Sequence, residues 1–416
     1  MVKTELVATG KSRRVARRLS CRLALWLGCA VLLGVAGCAI VPEQVARKKE
    51  GPLVYPDPPE VARFVYEQTI RSNLDVINAN KDRSVLRELL TGEGDEVGRH
   101  DMIKPYAIAV HRGRIFVSDT RMGDIKVFDV PARQFFTIGG MKPGKLGKPI
   151  GIDVDAEGNL YVADAGFQVI MVYDREGNYL RKLAAVAKGE PPLFRRLTSV
   201  TVDKKGEKIY AVDIGGVTDA SETHRVRVFD ARSGAHLFDI GKRGSASGEF
   251  NFPRDMAIGK DGNLYVVDGG NFRIQVFDPE GKYLRNFGAL GNQFGSFTRP
   301  KEVASDADGN IYVIDSNLGN FQIFDAEGHL LLFIGTPSNK DGPGLYALLS
   351  GVTVDEDGRV YVVDQLFRKV DIFRPAALAA EEGYLGKKPL AGEKPASAAT
   401  VRPTAPDKTT KEDGLE

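Results

Sequence analysis

The sequence predicts an all-β fold, a six-bladed β-propeller with an N-terminal strand that closes the last blade. The prediction depends on a sixfold repeat, on hairpin signals inside each repeat, and on an unpaired strand pattern ahead of the first repeat. In every repeat, a β-branched and aromatic run ends on an aspartate: Asp119, Asp164, Asp213, Asp268, Asp315 and Asp364. These aspartates are 45, 49, 55, 47 and 49 residues apart. Periods of this length, with several short strands per unit, are typical of propeller blades.

Hairpin signals place the strands within each repeat. Asp-Gly or Glu-Gly pairs such as Glu157-Gly158 and Asp261-Gly262 separate the first two strands. Five repeats finish with a fourth strand: Gln134–Ile138, Tyr179–Leu183, His236–Ile240, Tyr283–Phe287 and Leu330–Ile334. We expect each strand-end aspartate to cap its own turn by accepting nearby backbone N–H groups.

The sixth repeat has no fourth strand, because the pattern ends after Phe373 and Pro375 follows. An open sheet edge would invite aggregation. Residues 63–70 alternate like a strand and have no other partner, so we predict that they pair with residues 369–373. Residues 84–90 are predicted to form a short helix that leads into the first blade.

The N-terminal residues have the layout of a secretory signal. Basic residues between Lys11 and Arg22 precede an apolar run of 13 residues, 23–35, which is shorter than the roughly 20 residues that span a membrane. The ending Val35-Ala36-Gly37-Cys38 resembles a bacterial lipobox, which implies cleavage before Cys38 and acylation of that residue. Ala39 then implies passage to the outer membrane. The expected localisation is therefore the cell envelope, with the protein attached to the membrane through a lipid anchor.

The charge balance argues against nucleic acid binding, and the cysteine positions exclude thiol chemistry within the repeats. Residues 1–37 carry seven Lys and Arg, and without them the chain has 50 basic and 54 acidic side chains. This balance gives no electrostatic reason to expect nucleic acid binding. All three cysteines, Cys21, Cys29 and Cys38, precede the repeats. The predicted domains are a signal peptide (1–37), a tether (38–59), the propeller (60–375) and a disordered tail (376–416).

The repeat motifs resemble a known family. Gly-Asn-Leu-Tyr-Val-Val-Asp at 262–268 and Asn-Phe-Arg-Ile-Gln-Val-Phe at 271–277 are similar to the NHL repeat, and the likeness extends over about 270 residues, 105–373. The resemblance implies a propeller fold. For function it implies several classes: bacterial sensor propellers, eukaryotic interaction propellers, and lyase or lactonase propellers.

The propeller axis decides between an enzyme and a binding module. The five histidines, His100, His111, His224, His236 and His329, have no two equivalent places in the repeats, so the sequence predicts no histidine metal site and no cofactor. Lactonase-like propellers use axial carboxylates around calcium, and Asp255 and Glu302 are candidates here. The alternative is that Arg254 and Lys301, which precede them, neutralise them as ion pairs.

One face collects the long loops. The connections from strand four to the next strand one, and from strand two to strand three, should open on the same side. They hold Phe167, Phe272, Arg273, Phe367 and Arg368, and blade three adds an insertion at 215–223. Arginine and aromatic side chains dominate binding hot spots, although the aromatics could instead pack between blades. The predicted function is non-enzymatic binding of an envelope protein, a peptide or a cell-wall ligand. The alternatives are a lactonase or lyase with an axial metal, and a structural spacer.

Overall fold

The computed structural model describes residues 51–77, 98–185, 192–215 and 223–386. The chain divides into two units, and the second, Leu53–Glu416, holds the propeller. The predictions for the signal peptide, for Cys38, for the helix at 84–90, for most of the insertion at 215–223 and for the tail beyond 386 lie outside the described residues. Among the residues described, no helix is long and apolar enough to span a membrane.

Six antiparallel sheets form the blades, and β-branched and aromatic residues fill their inner strands. Blade 1 comprises β3 (Pro105–His111), β4 (Arg114–Asp119), β5 (Asp124–Asp129) and β6 (Gln134–Ile138). Blade 2 comprises β7 (Pro149–Val154), β8 (Leu160–Asp164), β9 (Val169–Tyr173) and β10 (Tyr179–Leu183). Blade 3 comprises β11 (Leu197–Val202), β12 (Lys208–Ile214), β13 (His224–Asp230) and β14 (His236–Ile240).

The remaining blades repeat this order. Blade 4 comprises β15 (Pro253–Ile258), β16 (Leu264–Asp268), β17 (Arg273–Phe277) and β18 (Tyr283–Phe287). Blade 5 comprises β19 (Pro300–Ser305), β20 (Ile311–Asp315), β21 (Asn320–Phe324) and β22 (Leu330–Ile334), and the short strands β23 (Thr336–Pro337) and β24 (Leu345–Tyr346) follow it. Blade 6 has β25 (Leu349–Val354), β26 (Val360–Asp364) and β27 (Lys369–Pro375). The five predicted fourth strands are confirmed.

The last blade is closed by an N-terminal strand, as predicted. β2 (Phe64–Ile70) pairs antiparallel with β27, in a register from Phe64↔Pro375 to Ile70↔Val370. A bulge between Tyr66 and Gln68 interrupts the ladder. The buried Arg359 guanidinium contacts the Glu67 carboxylate at 2.8 Å, so a charge pair also joins the two ends of the propeller.

The ordered fold extends beyond the predicted bounds of 60–375 at both ends. β1 (Val54–Tyr55), from the predicted tether, pairs with β2, and the Tyr55 ring packs on Phe373. A short helix, α1 (Leu74–Ile77), follows β2. After β27, the Glu382 carbonyl accepts a hydrogen bond from Arg359. The predictions that 38–59 and 376–416 lie wholly outside the fold are therefore wrong for 54–55 and 376–386. There, the Tyr55 ring, backbone hydrogen bonds and the isolated apolar side chain of Leu385, which packs on the core, hold segments that have no apolar period.

Candidate ligand-binding face

The strand-end aspartates join the two sets of loops on one face. The buried Asp164 carboxylate accepts N–H groups of Gly147 and Lys148, which precede β7, and of Gly166 and Phe167 in the turn after β8. Asp119, Asp315 and Asp364 repeat this pattern. The predicted turn-capping role is correct for these four aspartates, and each of these carboxylates also holds the preceding loop against its turn. Asp268 instead accepts a hydrogen bond from the Asn271 side-chain amide, and Asp213 accepts the N–H groups of the preceding Arg195 and Arg196. We call this side of the propeller the loop face.

Two residues predicted for binding on this face have contacts within the fold. The Arg273 guanidinium pairs with Asp268 at 2.9 Å and donates to the carbonyls of Ala246 and Glu249. Phe272, in a left-handed conformation with φ 57°, packs against the apolar core between blades 4 and 5. The alternative of inter-blade packing is therefore correct for Phe272, and Arg273 clamps a loop.

The other predicted loop residues lie at or near the surface. Phe167 is 54% exposed. Arg368 is exposed, and Phe367 is half-buried with the Lys369 ammonium 5.8 Å from its ring centre. Met122 and Leu366, which the sequence did not single out, are 56% and 62% exposed in the equivalent turns of blades 1 and 6. We call Met122, Phe167 and Leu366 the apolar arc, because their blades are consecutive around the ring.

Basic side chains surround the axis at the start of the innermost strands. Arg254 and Lys301 follow the prolines that begin β15 and β19, and Arg196 and Arg299 directly precede β11 and β19. The Lys301 ammonium lies 4.6 Å from the centre of the half-buried Tyr106 ring. We call Tyr106, Arg196, Arg254, Arg299 and Lys301 the axial mouth. Sequence reasoning missed Tyr106, Arg196 and Arg299, although the equivalent places in the repeats would have identified them.

The carboxylates that follow the axial bases do not pair with them. Within the described part of the chain, Arg254 and Lys301 form no ion pair with Asp255 or Glu302. Asp255 instead accepts hydrogen bonds from the Ser199 hydroxyl and the Val303 N–H, and Glu302 accepts the Val352 N–H. The predicted neutralised pairs are wrong, because each carboxylate bonds to a neighbouring blade and not to the side chain beside it.

Burial and mutual repulsion shift the protonation of these axial groups. Desolvation, with the nearby Asp153 carboxylate, raises the pKa of Asp255 to about 6. Desolvation and Asp255 raise the pKa of Glu302 well above its usual range. Desolvation lowers the pKa of Lys301 to about 8; the Glu302 carboxylate opposes this shift, and Arg299 and Arg254 add to it.

Beneath the mouth, a cavity of about 560 Å³ follows the axis to the opposite side. Its upper wall includes Ala107, Asp153, Asp255 and Glu302, and its wide end is lined by the hairpins between first and second strands. Carboxylates predominate in this lining, whereas arginine and lysine predominate in the mouth. The axis is therefore basic at one end and acidic along its length.

The described histidines have separate partners. His100 stacks on Phe135, His111 contacts Glu356, His224 accepts the Phe252 N–H, His236 contacts Asp239, and His329 contacts Asp325. In the described ranges, no group of three or more His, Cys, Asp or Glu side chains is arranged to hold a metal ion.

Comparison with known proteins agrees with this architecture. Residues 250–277, which cover most of blade 4, match the NHL repeat. The fourth blade carries an NHL repeat. The Drosophila melanogaster protein brain tumor is 24% identical over 142 residues, which are 34% of this chain and only 12% of that protein.

Solved structures include proteins that are similar to this propeller. A protein of unknown function from Bacteroides thetaiotaomicron superposes with a TM-score of 0.51 at 14% identity, covering 66% of this chain and 70% of that one. A gluconolactonase from Xanthomonas campestris gives a TM-score of 0.49 at 15% identity, covering 66% and 86%. At 14% identity, the likeness to the Bacteroides thetaiotaomicron protein concerns the fold alone.

Proposed function

We propose that this NHL propeller is a binding module whose loop face holds an envelope protein, a peptide or a cell-wall ligand. One observation carries the proposal: exposed apolar side chains and basic side chains without carboxylate partners lie on the same face. The apolar arc belongs to blades 6, 1 and 2, and the basic residues of the axial mouth belong to blades 3, 4 and 5. Such a surface combines the apolar and arginine contacts that dominate interface energies.

The test compares two sets of three serine substitutions. Met122→Ser, Phe167→Ser and Leu366→Ser remove the apolar arc. Leu180→Ser, Leu237→Ser and Leu284→Ser remove three exposed leucines from fourth strands on the outer rim, and serve as the matched control. Chemical crosslinking of the full chain in envelope preparations should capture partners with the control variant and lose them with the arc variant. Partners that persist in the arc variant would refute the assigned face.

The rival function is a lactonase or lyase with an axial metal. Its supporting observation is the set of buried axial acids Asp153, Asp255 and Glu302, whose charges a cation would balance. Their hydrogen bonds to protein groups do not fit a ready ligand set, because both Asp255 oxygens already accept from Ser199 and Val303. Metal analysis of the purified protein separates the two functions, since stoichiometric calcium or zinc would favour the enzyme.

The lipid anchor at Cys38 and outer-membrane localisation are part of this proposal. The support is the sequence pattern before Cys38, whose thiol would carry the acyl chain. Cys38→Ser should abolish incorporation of labelled palmitate and release the protein from the membrane fraction. Palmitate incorporated into the serine variant would refute the anchor.

A further inference from the structure

The axial mouth brings together three arginines that form no ion pair among the described residues, while the charge of Lys301 is partly balanced by the nearby Glu302. The guanidinium groups of Arg196, Arg254 and Arg299 have no carboxylate within 4 Å in the described ranges. Three arginines elsewhere in the propeller show the contrast: Arg114 pairs with Asp129, Arg225 with Asp213 and Asp239, and Arg359 with Glu67. Uncompensated like charges held together raise the free energy of the empty site, so an anion gains from binding there.

Tyr106 contributes an aromatic ring and a neutral hydrogen-bond donor to the axial mouth. Its side chain projects from blade 1 and interacts electrostatically with Glu302, Arg254 and Arg196, which belong to blades 5, 4 and 3. Burial and the Glu302 carboxylate raise the pKa of Tyr106 to about 12, so its hydroxyl keeps its proton at neutral pH. The hydroxyl and the guanidinium groups can therefore donate to the same oxyanion.

The groups below the mouth limit which anion fits. Asp255 and Glu302 lie at the upper end of the axial cavity, so a second negative charge pushed deeper along the axis would be repelled. A ligand should place one charged group at the mouth and lay the rest of its chain across the loop face. There, the apolar arc favours a chain that carries apolar side chains beside its charge.

We propose that the axial mouth binds a carboxylate of an acidic peptide segment whose apolar neighbours contact the apolar arc. The inference rests on the proposed function and names its ligand chemistry. Arginine forks match the planar carboxylate in two-point hydrogen bonds, which suits a single acidic side chain or a peptide C-terminus. An acidic side chain and a peptide C-terminus both offer a carboxylate, and they differ only in the position of that carboxylate along the peptide.

The experiment uses the full chain in detergent and peptides labelled at the N-terminus with the uncharged fluorophore nitrobenzoxadiazole, so that the label adds no carboxylate. The probe is Gly-Glu-Phe-Gly-amide, a second peptide Gly-Gln-Phe-Gly carries only a free C-terminus, and Gly-Gln-Phe-Gly-amide carries neither carboxylate. Anisotropy titrations should show tighter binding of one or both carboxylate peptides than of the neutral one. The stronger of the two identifies the source of the carboxylate.

Matched charge variants locate the site. Arg254→Gln with Arg299→Gln should weaken binding at least about tenfold, or about 1.4 kcal/mol. Lys205→Gln with Lys282→Gln removes two exposed lysines from hairpins on the opposite side and should leave the affinity unchanged. Tyr106→Phe keeps the ring under Lys301 but removes the hydroxyl, and should weaken binding severalfold without altering the circular dichroism spectrum.

Each of the following results would overturn the inference: equal affinity for charged and neutral peptides, equal losses in the two glutamine variants, or tighter binding of a labelled oligothymidylate than of the acidic peptide at the same salt concentration. Tighter binding of the oligothymidylate would indicate that the axial mouth binds nucleic acid. The two proposals can fail separately. If the serine variant of the apolar arc loses its envelope partners but Arg254→Gln/Arg299→Gln binds the peptide with unchanged affinity, the loop face is still the binding surface and the carboxylate site is rejected.

Discussion

Buried aspartates have two different environments in this protein. The Asp315 carboxylate at the end of β20 accepts the N–H groups of Thr298, Arg299, Asn317 and Leu318, so its charge is solvated by backbone donors. Asp255 lies at the axis near other carboxylates, and burial raises its pKa to about 6. Aspartates of the first kind hold loops in place. An aspartate of the second kind makes the free energy of unfolding depend on pH.

Asp255→Asn tests this pH dependence. The folded pKa of Asp255 is raised from 3.8 to about 6, so its favourable contribution is complete below about pH 4 and is lost as the pH rises through about 6. At pH 8 the asparagine variant should be more stable by about 2 kcal/mol, because a tenfold change in proton affinity is worth about 1.4 kcal/mol and partial solvation reduces the total. Urea unfolding at several pH values, with exposed Asp308→Asn as the control, measures this difference. A pH dependence unchanged by Asp255→Asn would contradict it.

For the axial residues, the sequence predicts their positions in the strands but not their hydrogen-bond partners. The repeat placed Arg254, Asp255, Lys301 and Glu302 at the start of innermost strands, which is correct. It could not show that Asp255 bonds Ser199 of the neighbouring blade, because that contact depends on the distance between blades and not on spacing along the chain. For the same reason the pairing of each base with the next acid was predicted wrongly.

At the scale of elements, strands were predictable and chain ends were not. The closing strand could be identified because β2 alternates in sequence and the sixth repeat lacked a partner. The segment after β27 has no alternation, yet its Glu382 carbonyl accepts from Arg359 at 2.8 Å and the Tyr384 N–H donates to Asp357 at 2.6 Å. These contacts use backbone atoms, which any sequence offers.

Two C-terminal truncations separate the contribution of this segment from that of the rest of the tail. Removal of 387–416 should leave the unfolding midpoint unchanged, because that sequence has no apolar period. Removal of 377–416 also deprives buried Arg359 of the Glu382 carbonyl, which should cost about 1–3 kcal/mol. Chemical denaturation followed by circular dichroism compares them. Identical midpoints would show that residues 377–386 contribute nothing to stability.

At the scale of the whole molecule, the apolar core is a closed circle. Six buried clusters each combine residues of two neighbouring blades, and the cluster between blades 6 and 1 joins the end of the repeats to their beginning. Phe64 and Ile70 of β2 belong to the clusters on either side of blade 6. Every blade therefore buries both faces only while the circle is closed.

Deletion of residues 60–70 should consequently affect the whole propeller. It exposes the backbone edge of β27 and removes a pair such as Thr69 and Asp371, which are 302 residues apart in the chain yet hydrogen-bonded. It also removes the Glu67 carboxylate from the Arg359 guanidinium, which keeps its ion pair with Asp357, and the loss of a hydrogen bond between charged groups costs about 1.5–3 kcal/mol. We expect aggregation in size-exclusion chromatography, or a single unfolding transition shifted to much lower denaturant. The milder variant Thr69→Val removes the hydrogen bonds of the Thr69 hydroxyl with Asp371 and Tyr66, and keeps the test informative if the deletion does not fold. Hydrogen exchange that speeds up in blade 6 alone, with blade 3 still fully protected, would show that the blades are stable independently of closure.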